Sequence, residues 1–194
     1  MNHRVFLAID IPQNIISAIQ KKQQEMKLHA PPIIRWTKPN LLHITLKFEG
    51  ELKQADLEPL CDDLHHAFVS FNPFTLEYQT LGVFPDLRNP RILWLGINHN
   101  DALFYLVRTV ESIFNTLGYR PEKRPFQAHL TIGRFNNQLS QSELQDFSAC
   151  LESQKDQFHA QQTVDHVTLY ESTLTSSGPI YKTILQVPFK SAGT

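Results

Sequence analysis

Two short segments of this chain repeat one another: His43-Ile44-Thr45-Leu46 and His129-Leu130-Thr131-Ile132. They lie 129 − 43 = 86 residues apart, close to half of the 194-residue length. Each follows a proline-containing turn, and each is followed by a basic residue and a phenylalanine, Lys47-Phe48 and Arg134-Phe135. A repeat at half the chain length points to two related lobes, each lending one strand of the pattern His-apolar-Thr-apolar. On a strand, residues i and i+2 share a face. Each copy therefore presents an imidazole beside a hydroxyl. From 42 to 48 the first copy alternates, with Leu42, Ile44, Leu46 and Phe48 on one face and His43, Thr45 and Lys47 on the other, the pattern of a half-buried strand.

Around these segments the pattern predicts strands over residues 5–9, 33–36, 74–81, 91–97, 126–135, 164–170 and 180–187. Helices are expected over 12–27, 52–71, 102–117 and 140–153, the first opened by Pro12, the third stopped by Gly118 and the last capped by Ser140. Residues 82–90 and 121–125 read as loops. Several strands adjoin in sequence without a helix between them, so the fold class is α+β with mostly antiparallel sheets. No linker is long enough to separate independent domains, so residues 1–194 read as one unit.

Two imidazoles and two hydroxyls facing each other across a cleft suit a phosphodiester. In-line displacement at phosphorus needs a base on the attacking oxygen and an acid on the departing one. An imidazole with an ordinary pKa of about 6.5 can serve in either form near neutral pH. The threonine hydroxyls can donate hydrogen bonds to non-bridging oxygens as charge builds on them. No metal and no other cofactor is required. The remaining histidines do not compose a zinc site, and the 7 glycines contain no phosphate-binding loop. A third copy of the tripeptide, His166-Val167-Thr168, lacks the turn before it, the basic and aromatic residues after it and the half-chain spacing, so His166 is read as structural. His3 has no partner visible in the sequence.

Charge narrows the kind of partner. With 18 basic and 19 acidic residues the formal charge is −1, unlike a general nucleic-acid coating protein. An RNA partner must be held by a local basic cleft, for which Lys38, Lys47 and Arg124 are candidates. Phe48, Phe84 and Tyr181 are candidates for stacking on a base, against the alternative of core packing in a chain with 13 Phe. Hydrophobic residues make up 41% and charged residues 19%, as in a packed globule. No apolar run reaches the roughly 20 residues of a membrane span, and the N-terminal stretch lacks the apolar core of a signal peptide. Cys61 and Cys150 stand apart with no CxxC spacing, which fits free thiols and a cytoplasmic location. A monomer is expected.

Beyond the paired motifs, the chain resembles the two-histidine (2H) phosphoesterases, above all the prokaryotic RNA 2',3'-cyclic phosphodiesterases historically called 2'-5' RNA ligases. The resemblance is carried by residues 5–12, 35–50, 82–85, 90–96, 124–134, 169–172 and 178–181, nearly the whole chain. It implies a bilobed fold with pseudo-twofold symmetry, two antiparallel sheets facing a central cleft and helices outside. It also implies hydrolysis of an RNA or nucleotide 2',3'-cyclic phosphate to a 2'-phosphate. His43 would be the proton donor to the departing 3' oxygen and His129 the base that activates water, with Thr45 and Thr131 on the phosphate oxygens. Many relatives carry Leu-Ala-Arg after the second threonine, where this chain has Ile132-Gly133-Arg134. Arg134 lies five residues after His129 and would face away from it in a regular strand; a bulge at Gly133 would re-aim it to the phosphate, and the alternative is a salt bridge at the rim. The alternatives are reverse 2'-5' ligation by the same site, a diesterase for 2'-5' linkages or small cyclic nucleotides, and a non-catalytic module that binds RNA ends.

Overall fold

The structure is a computed structural model that describes residues 2–190. In chain order its elements are β1 (Asn2–Asp10), α1 (Gln13–Lys27), β2 (Ile34–Trp36), β3 (His43–Lys53), α2 (Leu57–Phe68), β4 (Phe74–Phe84), β5 (Ile92–Ile97), α3 (Asp101–Thr116), β6 (His129–Phe135), α4 (Gln141–Gln154), β7 (His159–Val164), β8 (His166–Thr175) and β9 (Gly178–Pro188). The strands form two sheets, β3-β1-β8-β9 and β2-β6-β5-β4-β7, and their pairings are antiparallel. Each sheet mixes strands from both halves of the sequence: β8 and β9 complete the sheet begun by β1 and β3, while β4 sits between β5 and β7.

Hydrophobic burial fixes this arrangement. β1 is buried from Val5 to Ile9, as expected of the inner strand of a covered sheet. α1 buries Ile15, Ile19 and Met26, one face of a 3.6-residue period, and packs near β7. α2 and α3 pack together, α2 against β9 and α3 against β3, while α4 lies on β4. Asn100 caps α3 by accepting from the Leu103 amide, and Ser140 with Glu143 forms a capping box on α4.

Several boundaries differ from those read in the sequence. β3 runs on to Lys53 and α2 starts at Leu57, because Leu52 is spent on burial in the sheet. β4 continues to Phe84 through the segment read as a loop, with Gly82 opposite Trp94. β6 begins only at His129. β7 has no apolar alternation to betray it. It is an edge strand whose buried positions are Gln162 and Val164. The Gln162 amide bonds the Tyr78 hydroxyl and the Asp10 carbonyl, tying this sheet to the end of β1.

Candidate active site

β3 and β6 meet between the sheets and begin with the two histidines. Both imidazoles are anchored alike. His43 Nδ1 is 2.8 Å from the Leu41 carbonyl, and His129 Nδ1 is 2.8 Å from the Gln127 carbonyl. A carbonyl only accepts, so each Nδ1 carries the hydrogen and Nε2 is left for a substrate. A short 3₁₀ turn over Pro39–Leu41 aims the first of these carbonyls. His43, Thr45, His129, Thr131 and Arg134 line one cavity of about 420 Å³.

The way Arg134 reaches that cavity is a matter of register. On β6, Thr131 pairs with Trp94 and Gly133 with Leu93, so Ile132 is an extra residue in the ladder. Such a bulge shifts every later side chain to the other face. Arg134 then pairs with Ile92 and shares the Thr131 face. The bulge sits at Ile132, one residue before the position expected. Gly133 is needed beside it, since a Cβ there would lie 2.9 Å from Ile34 Cγ2. The Ile132 carbonyl accepts from the Thr37 amide and from the buried Gln23 side chain, each at 3.0 Å.

β3 has the same defect at the same place: Thr45 pairs with Ala8 and Lys47 with Leu7, leaving Leu46 as the extra residue. This overturns the simple alternation. Lys47 turns inward, 4% exposed, and donates to Glu111 at 3.0 Å and to the Arg120 carbonyl at 3.1 Å. It borders the cleft as a buried ion pair and structural tie, and not as a free cation. Phe48 comes round to the His43 face, 43% exposed, with the Arg4 guanidinium 4.4 Å above its ring.

Burial lowers the pKa of both imidazoles; the carbonyl bonds to Leu41 and Gln127 oppose this, and the nearby Arg134 charge adds to it. His43 is also raised by the Asp10 carboxylate. The His43 ring packs on Phe6 and meets Tyr181 edge-on, with centroids 4.8 and 5.4 Å away. His129 meets Phe84 edge-on at 5.0 Å.

The third tripeptide is placed away from the cavity lining. His166 Nε2 lies 3.0 Å from Asp10 Oδ2, the Thr168 hydroxyl donates to the same oxygen at 2.6 Å, and the Tyr170 hydroxyl donates to Oδ1 at 2.6 Å. Alone, burial would raise the Asp10 carboxyl; these donors outweigh it and hold the group below its ordinary value. His3 also has partners, Glu171 and Gln54, each at 2.6 Å. Reading the sequence missed Asp10 and Gln23. Asp10 stands just past the apolar run 5–9 that reads as a strand, and Gln23 is a polar residue within the segment 12–27 that reads as a helix.

Basic residues gather at the cleft. Arg4, Arg35, Lys38 and Arg134 line the first cavity. A second chamber of about 1120 Å³ shares Thr45, Phe48 and His129 with it and is lined by Arg91, Arg108 and Arg124 together with Phe84, Phe104 and Phe126. Among the described residues no group of three or more His, Cys, Asp or Glu side chains is arranged to hold a metal ion.

Two imidazoles of fixed tautomer, two hydroxyls and an arginine around one cavity, on antiparallel sheets, define a two-histidine phosphoesterase. The family model described as LigT-like phosphoesterase matches twice, over residues 9–94 and 95–181, with His43 and Thr45 in the first match and His129 and Thr131 in the second, and the chain belongs to that family. It is 34% identical to the RNA 2',3'-cyclic phosphodiesterase of Methanocaldococcus jannaschii over 93% of this chain and 98% of that one. With the protein of the same description from Archaeoglobus fulgidus it shares 31% identity, over 92% and 96%. Its fold is similar to a Thermus thermophilus crystal structure, with a TM-score of 0.81 over 98% of this chain and all of that one at 20% identity. It is also similar to E. coli LigT complexed with 3'-AMP, with a TM-score of 0.77 over 97% and 99% at 24% identity.

Proposed function

We propose that this protein hydrolyses RNA 2',3'-cyclic phosphate ends to 2'-phosphate ends without a metal. Water attacks phosphorus and gives a proton to His129 Nε2. The bond from phosphorus to the 3' oxygen breaks, and His43 Nε2 delivers its proton to that oxygen. Thr45, Thr131 and Arg134 hold the non-bridging oxygens. The observation that carries this reading is the matched anchoring of the two Nδ1 atoms, which leaves two Nε2 atoms for one cavity. The relatives described as RNA 2',3'-cyclic phosphodiesterases support the choice of substrate.

The net charge of −1 calls for a local basic cleft if RNA is bound, and the two chambers supply one. The first takes the terminal nucleotide. The second, lined by arginines and aromatic rings, takes a further stretch of single strand. An RNA 5'-hydroxyl in place of water would give a 2'-5' linkage through the same two proton transfers, and water outcompetes it. A non-catalytic role is disfavoured because both motifs are intact. Both come from one chain, so a monomer suffices. Among the described residues no helix is long and apolar enough to cross a membrane, and Cys61 and Cys150 are free thiols, which suits action in the cytoplasm.

The test is hydrolysis of a nucleoside 2',3'-cyclic phosphate in EDTA, separating 2'- from 3'-phosphate, with wild type and His43→Ala. A 2'-phosphate product that disappears with His43 supports the reading. Turnover indifferent to His43 would refute it.

A further inference from the structure

The two halves of the site are so alike that their chemistry poses a question of direction: what makes one histidine the acid and the other the base? The same 86-residue offset relates the strands that flank them. His43 pairs with Asp10 on β1, and His129 pairs with Gly96 on β5, where 96 − 10 = 86. One row further, Thr45 pairs with Ala8 and Thr131 with Trp94, again 86 apart. Residues directly opposite on antiparallel strands project from the same face with Cβ atoms about 5 Å apart. His43 therefore has a carboxylate as its cross-strand neighbour, and His129 has no side chain there at all.

The carboxylate is held in that place. β8 runs on the other side of β1, pairing Thr168 with Ala8 and Tyr170 with Phe6, and its His166, Thr168 and Tyr170 all bond the Asp10 carboxylate. The third His-x-Thr is thus aligned with the first, one strand away. Asp10 is not among the residues lining the cavity, so it acts through His43.

We propose that Asp10 is the positioning residue that makes His43, and not His129, the proton donor, and so sets the direction in which the site works. This rests on the hydrolytic reading above. The charged and titratable groups facing His43 are Asp10 on β1, Tyr181 on β9, and Arg134 and His129 on β6; His166 and Tyr170 on β8 reach it only by way of Asp10. Of these, Asp10 is the one anion, and it opposes Arg134, whose charge bears on both histidines.

Two variants with opposite expected effects test this. Asp10→Asn keeps size and loses charge; the alkaline limb of kcat/KM, where the acid is lost, moves to lower pH. At one pH unit above the optimum the rate falls roughly 3–10-fold, and the acid limb set by His129 stays. His166→Gln removes a cation from Asp10 while keeping a donor, so the alkaline limb moves to higher pH. NMR titration of the His43 ring, which needs no turnover, shows the same two opposite shifts. An unmoved alkaline limb and unmoved His43 titration in Asp10→Asn would overturn the proposal. So would equal shifts in both variants or in both limbs. If no cyclic phosphate is hydrolysed at all, the functional reading fails while the His43 titration still judges Asp10.

Discussion

Arg134 stands on the same face of its sheet as Thr131, three residues earlier, because Ile132 is bulged out of the pairing with β5. The relation makes an arginine of the site depend on residues that never touch the cavity. Gln23 holds the bulged carbonyl, and Gly133 leaves room for Ile34. Gln23→Ala should cost about 0.5–1.5 kcal/mol of stability per hydrogen bond lost to the Ile132 and Thr37 carbonyls, measured by urea unfolding. Gly133→Ala should raise KM more than it lowers kcat, by loosening Arg134.

His43→Ala and His129→Ala should each lower kcat by about 10²–10⁴, the usual contribution of one acid or base. His166→Ala should leave kcat at the optimum nearly unchanged. Steady-state kinetics of the three variants decides this; a loss at His166 as large as at His43 would mean that the third tripeptide touches the substrate.

Burial holds both imidazoles below the ordinary 6.5. In the proposed mechanism the active form has His43 protonated and His129 neutral. Activity is lost on the acid side as His129 gains a proton and on the alkaline side as His43 gives one up. The bell in kcat/KM, which reports the free enzyme, should therefore peak on the acid side of pH 6.5. A peak clearly above neutrality would contradict the assignment of its limbs to these groups.

Turnover should be unaffected by EDTA. Inhibition that is reversed by adding back a divalent metal would sink the metal-free mechanism.

Replacing Arg91, Arg108 and Arg124 with Ala should weaken kcat/KM for an oligonucleotide with a cyclic-phosphate end and flatten its dependence on salt, since fewer counterions are released on binding. Rates across a salt series, with a mononucleotide as comparison, measure the effect. Equal behaviour of the two substrates would leave the second chamber without a role in binding the chain.

Much of the candidate site was legible because its two halves repeat, and a repeat survives any uncertainty about where each strand begins. His43, Thr45, His129 and Thr131 needed only the period of a strand. Residues beyond the bulges did not follow from that period. Alternation put Phe48 with the core and Lys47 with the cleft, and one extra residue in the ladder exchanges them. β7 stayed hidden because one of its two buried positions is a glutamine, whose burial is stabilised by a tyrosine and a carbonyl far away in sequence. Asp10 was invisible for a related reason. Its meaning lies in what stands opposite, and the contrast with Gly96 exists only once the strands are paired.

The crossing of strands between sheets has a consequence for the molecule as a whole. A half-chain ending near Trp94 would carry β4 with only the first half of the β5 it pairs with, and would leave β1 without β8. Neither half can close its own sheet, so each is a clasp that shuts only on the other. A cut in the chain between the halves would leave two pieces bound to regain order and activity together, or not at all.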